Sequence, residues 1–195
     1  MREPLDTIGA AEGRNPVGGK TVDYTQLIKR ILLPTGFAAP TTLVFEDIVA
    51  TALSREHLLE DVAGINASLD LISRTRGGDW PTETVTDDGN FIDLVWHECE
   101  FREGHSFSYA VHTAEGEYLG CCYFYPLGTR TPLSEELVVC DVDVSWWVTP
   151  SAYERGYYER LFRALRHWGT KDFPFSALHF SNRLLEASSR FFALS

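Results

Sequence analysis

The spacing of apolar residues changes period several times along the chain, and each change marks an element. TTLVFEDIVA (Thr41 to Ala50) is rich in β-branched and apolar residues and predicts a strand. The period then lengthens. Leu58, Val62, Ile65, Leu69 and Ile72 fall three or four apart and form one stripe of a helix. Ser54 stands at its N-cap, Glu56 lies in its first turn, and His57 takes the place where a capping box would prefer Glu. RGGDWPTETVTDDGN (76–90) has the composition of a loop. FIDLVWHECEFREG (91–104) predicts a second, shorter helix with Phe91, Leu94, Val95 and Cys99 on one face and Gly104 as its stop.

Three strands follow: SFSYAVHT, then YLGCCYFYPL after a turn at AEGE, then VVCDVDVSWWV after the loop GTRTPLSEEL. Alternation in the third puts Asp141, Asp143, Ser145 and Trp147 on one face and Val142, Val144, Trp146 and Val148 on the other. A helix from Ser151 to Trp168 carries Tyr158, Leu161, Phe162, Leu165 and Trp168 on one side. FPFSALHFSN (173–182) predicts a last strand, parallel to its predecessor if that helix is a crossover. RLLEASSRFF has the pattern of a short helical tail. Residues 1–39 read as a leader with many Gly and Pro, in which only Tyr24 to Leu33 could form a helix; residues 40–195 form the domain. The order β-α-α-β-β-β-α-β describes an α+β fold with a mixed sheet.

Composition narrows the class. The 195 residues are 44% hydrophobic and 13% aromatic, enough for one domain with an aromatic-rich core. The net charge is −11, and no basic run exists to hold a nucleic-acid backbone. An acidic surface is compatible with a cationic amine substrate. No apolar run has membrane-spanning length, and no apolar leader opens the sequence. The four cysteines include the vicinal pair Cys121 and Cys122 but no C-x-x-C, which suits reduced thiols in a cytoplasmic protein.

One stretch joins a strand to a helix in a way that can hold an anion: VTPSAYERGYYERL (Val148 to Leu161). Together with the element order, it makes residues 41 to 182 resemble the GNAT superfamily of N-acetyltransferases. In that family a strand ending near V-x-P leads into an Arg- and Gly-rich turn that cradles the pyrophosphate of acetyl-CoA. Here Val148-Thr149-Pro150 and Arg155-Gly156-Tyr157 match that pattern; Tyr158 stands where the second glycine is expected and Arg160 where the third small residue is expected. The resemblance implies a mixed, mostly antiparallel central sheet with helices on both faces. It also implies acetyl-CoA as co-substrate, a small-molecule amine or an amino group as acceptor, and a homodimer as an allowed assembly. It places the coenzyme on Trp147, Val148, Arg155, Gly156, Tyr157, Tyr158 and Asn182.

Acetyl transfer needs a neutral amine beside the thioester, a proton acceptor and a donor to the developing oxyanion. The donor would be the backbone N–H of Trp147 or Val148. Asp143, then Asp141, are the candidate bases, followed by Glu98 and Glu100 on the second helix. The tail RLLEASSRFF lacks the tyrosine that relatives use as an acid. A catalytically inactive GNAT-like domain that binds a ligand or a protein is the alternative. Other motifs fall away. RNPVGGKT (Arg14 to Thr21) misses the first glycine of a phosphate loop. His97 and Cys99, two apart on a helix, do not converge on a metal with His105. His112 and His179 read as strand scaffold, and Ser106 and Ser108 lack a nucleophile-elbow context.

Overall fold

The computed structural model describes residues 29–183. Six strands form one sheet in sequence order: β1 (Thr42–Phe45), β2 (Ile48–Ala52), β3 (Phe107–Thr113), β4 (Tyr118–Tyr125), β5 (Val142–Val148) and β6 (Leu178–Phe180). All neighbours are antiparallel except β5 and β6. Helices α1 (Leu58–Thr75), α2 (Asp87–Glu103), α3 (Pro150–Glu154) and α4 (Tyr157–Lys171) complete the fold. The sheet is thus mixed and mostly antiparallel, with helices on both faces.

The strand expected over residues 41–50 is a hairpin. Phe45 and Ile48 pair across a turn in which Glu46 takes φ 55°. No Gly or Pro announces that turn. Its conformation is held from outside instead: Asp47 accepts hydrogen bonds from Tyr157 Oη (2.8 Å) and from Arg160 on α4.

The first helix begins as predicted. A 3-10 turn at Arg55–His57 leads into α1, and the His57 ring takes the part usually played by glutamate, its Nδ1 accepting from the Ser54 N–H at 3.1 Å. α2 starts four residues before the expected Phe91. Thr86 caps it by accepting from Gly89 N at 3.2 Å, and Asp87 and Asp88 favour its positive end. Gly104 ends it at φ 69°. The expected apolar face is not what α2 buries: only Asn90 and Leu94 are buried, while Phe91 and Trp96 are exposed.

The helix expected from Ser151 to Trp168 is two helices. Thr149 caps α3 by accepting from Ala152 N, and the chain breaks at Gly156, φ 80°, before α4 begins. This left-handed position suits glycine.

Two cores result. α4 covers one face, packing Tyr158, Leu161, Leu165 and Trp168 against Val144, Trp146, Phe124 and Leu43. α1 and α2 cover the other, packing Ile65, Ile72 and Leu94 against Trp147, Cys121 and Tyr123. β5 is therefore buried along its whole length on both faces, including Asp143 and Ser145. Gly120 lets β4 approach β5: a Cβ there would run into the Trp147 carbonyl oxygen, and φ is +142°.

Of the expected leader, Ile31 is buried in the core and Phe37 lies 5.8 Å from the Phe173 ring. Of the helix expected at Tyr24 to Leu33, residues 24–28 lie outside the described residues and 29–33 are not helical; the tail after Arg183 falls wholly outside the described residues. No described helix is long and apolar enough to cross a membrane.

Candidate active site

The last two strands pair only from Val142 to Val144 and then part. Ser181 N donates to Val144 O at 3.0 Å, the last backbone bond between them. Beyond it the Asn182 side chain takes over. Its Oδ1 accepts from Trp146 N (3.1 Å) and its Nδ2 donates to Trp146 O (2.8 Å). Successive strand residues turn their polar groups to opposite edges. Trp146 and Val148 therefore face the split, and Trp147 faces β4.

Tyr158 lies in this split. It starts from α4 on one face, and its ring centroid sits 5.0 Å from that of Trp146. Its hydroxyl donates to the Thr75 carbonyl at the end of α1, on the other face (3.2 Å), and accepts from Asn182 Nδ2 (2.7 Å). The side chain is fully buried, and burial pushes its phenol well above the ordinary value. Tyrosine at the position of the family's second glycine is thus a filler of the sheet split, not a wall of the turn before α4.

That turn is open. Nothing lies within 4 Å of where a Gly156 Cβ would be. Its nearest cation is engaged: Arg155 makes a forked pair with Glu117 (2.9 and 2.5 Å), and its Nε donates to the Ser151 carbonyl at 3.3 Å. Tyr157 points away, donating to Asp47 and lying under Arg155 and Arg160.

On the α1/α2 side of the sheet a cleft of about 310 Å³ is lined by Arg76, Trp80, Asp93, His97, Tyr123 and Arg130, among others. Arg76 is nearly buried, its guanidinium carbon 4.4 Å from the centre of the Tyr123 ring and 5.0 Å from that of Trp80. It donates to Ser145 Oγ (3.3 Å) and Tyr125 Oη (3.2 Å). Arg130 donates to the carbonyls of Arg76 (2.5 Å) and Gly77 (2.8 Å), and to Ser181 Oγ (3.1 Å). Burial, with Arg76 beside it, lowers Arg130 to about 10. His97 holds Ser108 Oγ at 3.0 Å through Nδ1, with Asp93 3.4 Å from Nε2. Burial pushes the Asp93 carboxyl up, but His97 and Arg76 outweigh it and hold the group below its usual range.

The residues singled out from sequence scatter. Asp143 lies under the cleft, opposite Tyr125 in the β4–β5 register; it has no accessible surface, and both its oxygens lack a partner. Asp141 precedes β5 and caps the turn into β6, accepting from Ser176 N and Ala177 N. Glu98 is bound to Arg55 on the outside of α2. Glu100 accepts from Trp96 Nε1 and Ser106 Oγ. Trp147 is buried, its indole donating to Tyr123 Oη at 3.0 Å. Arg76, Asp93 and Arg130 escaped sequence reasoning, and His97 was weighed only as a metal ligand. The i,i+4 spacing of Asp93 and His97 was the one local signal for them. No group of His, Cys, Asp and Glu among the described residues could hold a metal.

No protein-family model and no curated protein matches the sequence. Solved structures do match the fold. RimL, a ribosomal L7/L12 α-N-protein acetyltransferase, in complex with coenzyme A, aligns with a TM-score of 0.57 at 13% identity, over 80% of each chain. Its apo form gives 0.54 at 14% identity, over 83% of this chain and 82% of that one. A ribosomal-protein-S5-alanine acetyltransferase from Vibrio fischeri gives 0.50 at 13% identity, over 68% of each. At these identities the likeness concerns architecture, and the chain has the fold of the GNAT acetyltransferases.

Proposed function

We propose that the protein is an N-acyltransferase that uses acetyl-CoA and a small amine. One juxtaposition carries this reading. The cleft holding His97 and Asp93 opens beside Ser145 and Ser181, at the point where β5 and β6 part. An acyl group brought along the split and an amine brought into the cleft would meet there.

The fit to the coenzyme is uneven. The open turn at Gly156 and the start of α4 suit a diphosphate. Val148 offers backbone groups at the split for an amide-bearing arm. The path between them is filled while Tyr158 and Asn182 keep their present places. Bound acetyl-CoA would supply an activated carbonyl; the rest falls to the chain's own residues. His97 reaches the cleft and takes the proton that an ammonium must lose before it can attack. Asp93 holds the imidazole in place. Asp143 has no surface to offer a substrate and lies beneath Arg130, on which it acts through space. Asp141 and Glu98 serve the turn into β6 and the α1–α2 junction.

The ring of Tyr158 in the split favours a second reading, a GNAT-like domain that binds a ligand or a protein without the coenzyme. Calorimetric titration with acetyl-CoA separates the two. The transferase reading expects saturable heat, and release of coenzyme thiol when an amine is added. Heat in Tyr158→Gly but not in the wild type would establish the second reading. Silence in both at millimolar acetyl-CoA would overturn the first.

A further inference from the structure

Buried charges are normally paired, because leaving water costs more than most contacts return. The cleft departs from this rule in both signs. Among the described residues, neither Arg76 nor Arg130 makes an ion pair, although Arg55, Arg155 and Arg160 each pair with a carboxylate. Arg76 is 5% exposed and Arg130 half-buried, and each has a guanidinium nitrogen, Nη1, with no hydrogen bond to a described residue. Beneath them Asp143 is 0% exposed with both carboxylate oxygens unpartnered. The nearby Asp93 is at the rim with His97. Asp143 is sealed off, so what the cleft presents to a ligand is the two guanidiniums on one side and Asp93 with His97 at the rim. The guanidiniums are anchored through their other nitrogens to Ser145, Tyr125, Ser181 and two carbonyls. They cannot turn onto Asp143 without giving those bonds up.

Such a site is completed by a ligand that brings one charge of each sign. We infer that the acceptor is an amine that also carries an anionic group, held by Arg76 and Arg130, with its amino end toward His97 and its body against Trp80 and Tyr123. A free amino acid or a phosphate-bearing amine has this chemistry. A plain polyamine does not, since both guanidiniums would repel it. The use of this ligand as an acceptor rests on the transferase reading; its binding does not.

The test is a panel of the common amino acids and aminoalkyl phosphates, set against the same amines without the acid group and the same acids without the amine. Binding is read without coenzyme, by thermal shift and calorimetry; turnover is read with acetyl-CoA. At least one amphoteric compound should bind, and its two single-charge analogues should bind at least about tenfold more weakly. Arg130→Gln should weaken that compound about tenfold or more, and Arg130→Lys should recover part of the loss. In turnover the loss should fall on KM, not kcat. Unchanged melting of Arg130→Gln confirms that the fold survives. Amphoteric binding without turnover keeps this inference while the transferase reading fails. Plain amines binding as well as amphoteric ones, no binding by any member, or an affinity indifferent to Arg130→Gln would each overturn it.

Discussion

Asn182 and Tyr158 meet across the split between β5 and β6, Nδ2 donating to Oη at 2.7 Å, and together they occupy the gap that two diverging strands leave in the sheet. Each also does what the missing strand pairing would have done. Asn182 satisfies Trp146, and Tyr158 ties α4 to the end of α1. Tyr158→Phe keeps the ring but leaves an Asn182 proton without its acceptor, while the Thr75 carbonyl keeps Arg183 N–H as its other donor, so it should destabilise the protein by about 1–2 kcal/mol. Urea unfolding followed by tryptophan fluorescence measures this. A loss below a few tenths would mean that the hydroxyl is not bonded in solution.

The pair of Arg155 and Glu117 sets how strongly the turn before α4 attracts an anion. Glu117→Gln would release the guanidinium, and an exposed charge contributes only modestly, so affinity for acetyl-CoA should rise about two- to fivefold. Arg155→Ala should lower it by a similar factor. Both changes should shrink as salt is raised. Equal affinity in all three proteins would remove Arg155 from the coenzyme site.

Much of the fold could be read from local pattern, and little of the cleft could. The meander β3 to β5 and α1 announce themselves by period, because one or both of their faces are apolar. The β1–β2 turn did not, because Glu46 and Asp47 are held in it by residues more than a hundred positions away. Asp143 and Ser145 look like a wet strand face in sequence, yet α1 and the arginines cover them. Arg76 and Arg130 come from segments whose composition says loop. What makes them a site is that both are folded over the same strands, a long-range fact with no local signature.

Cysteine chemistry offers a direct check on the two cores. Burial pushes the Cys121 and Cys122 thiols well above the usual range, and for Cys121 the charge of Asp61 adds to this. A raised thiol pKa favours the neutral form, so raising the pH through the ordinary thiol range should not create a thiolate at either site. Cys99 and Cys140 are half-buried. An aromatic disulfide reagent under mildly alkaline native conditions should therefore modify two thiols quickly, and all four only after unfolding. Rapid reaction of four would mean that the sheet is open where β4 crosses it.

Gly120 pairs with Val148 and leaves no room for a side chain between β4 and β5. Any Cβ there meets the Trp147 carbonyl, and the backbone angle is one that side chains avoid. Gly120→Ala should cost at least about 2 kcal/mol, from strain together with displacement of the paired strand. Because Trp147 is buried with its indole bonded to Tyr123, the change should also alter near-ultraviolet circular dichroism. An unchanged melting temperature would show that the two strands leave room for a side chain at Gly120.

The roles given to His97 and Asp93 separate in kinetics. His97→Gln keeps a polar group near Ser108 but cannot take up a proton, so kcat should fall about a hundredfold or more with KM little changed. Asp93→Asn acts only through the ring. It keeps the shape of the rim but loses the carboxylate 3.4 Å from His97 Nε2, so kcat should fall about tenfold, again with KM little changed. Asp143→Asn should leave kcat in place, since Asp143 touches neither the ring nor the solvent. A loss of kcat with Asp143→Asn and none with Asp93→Asn would return the base to β5.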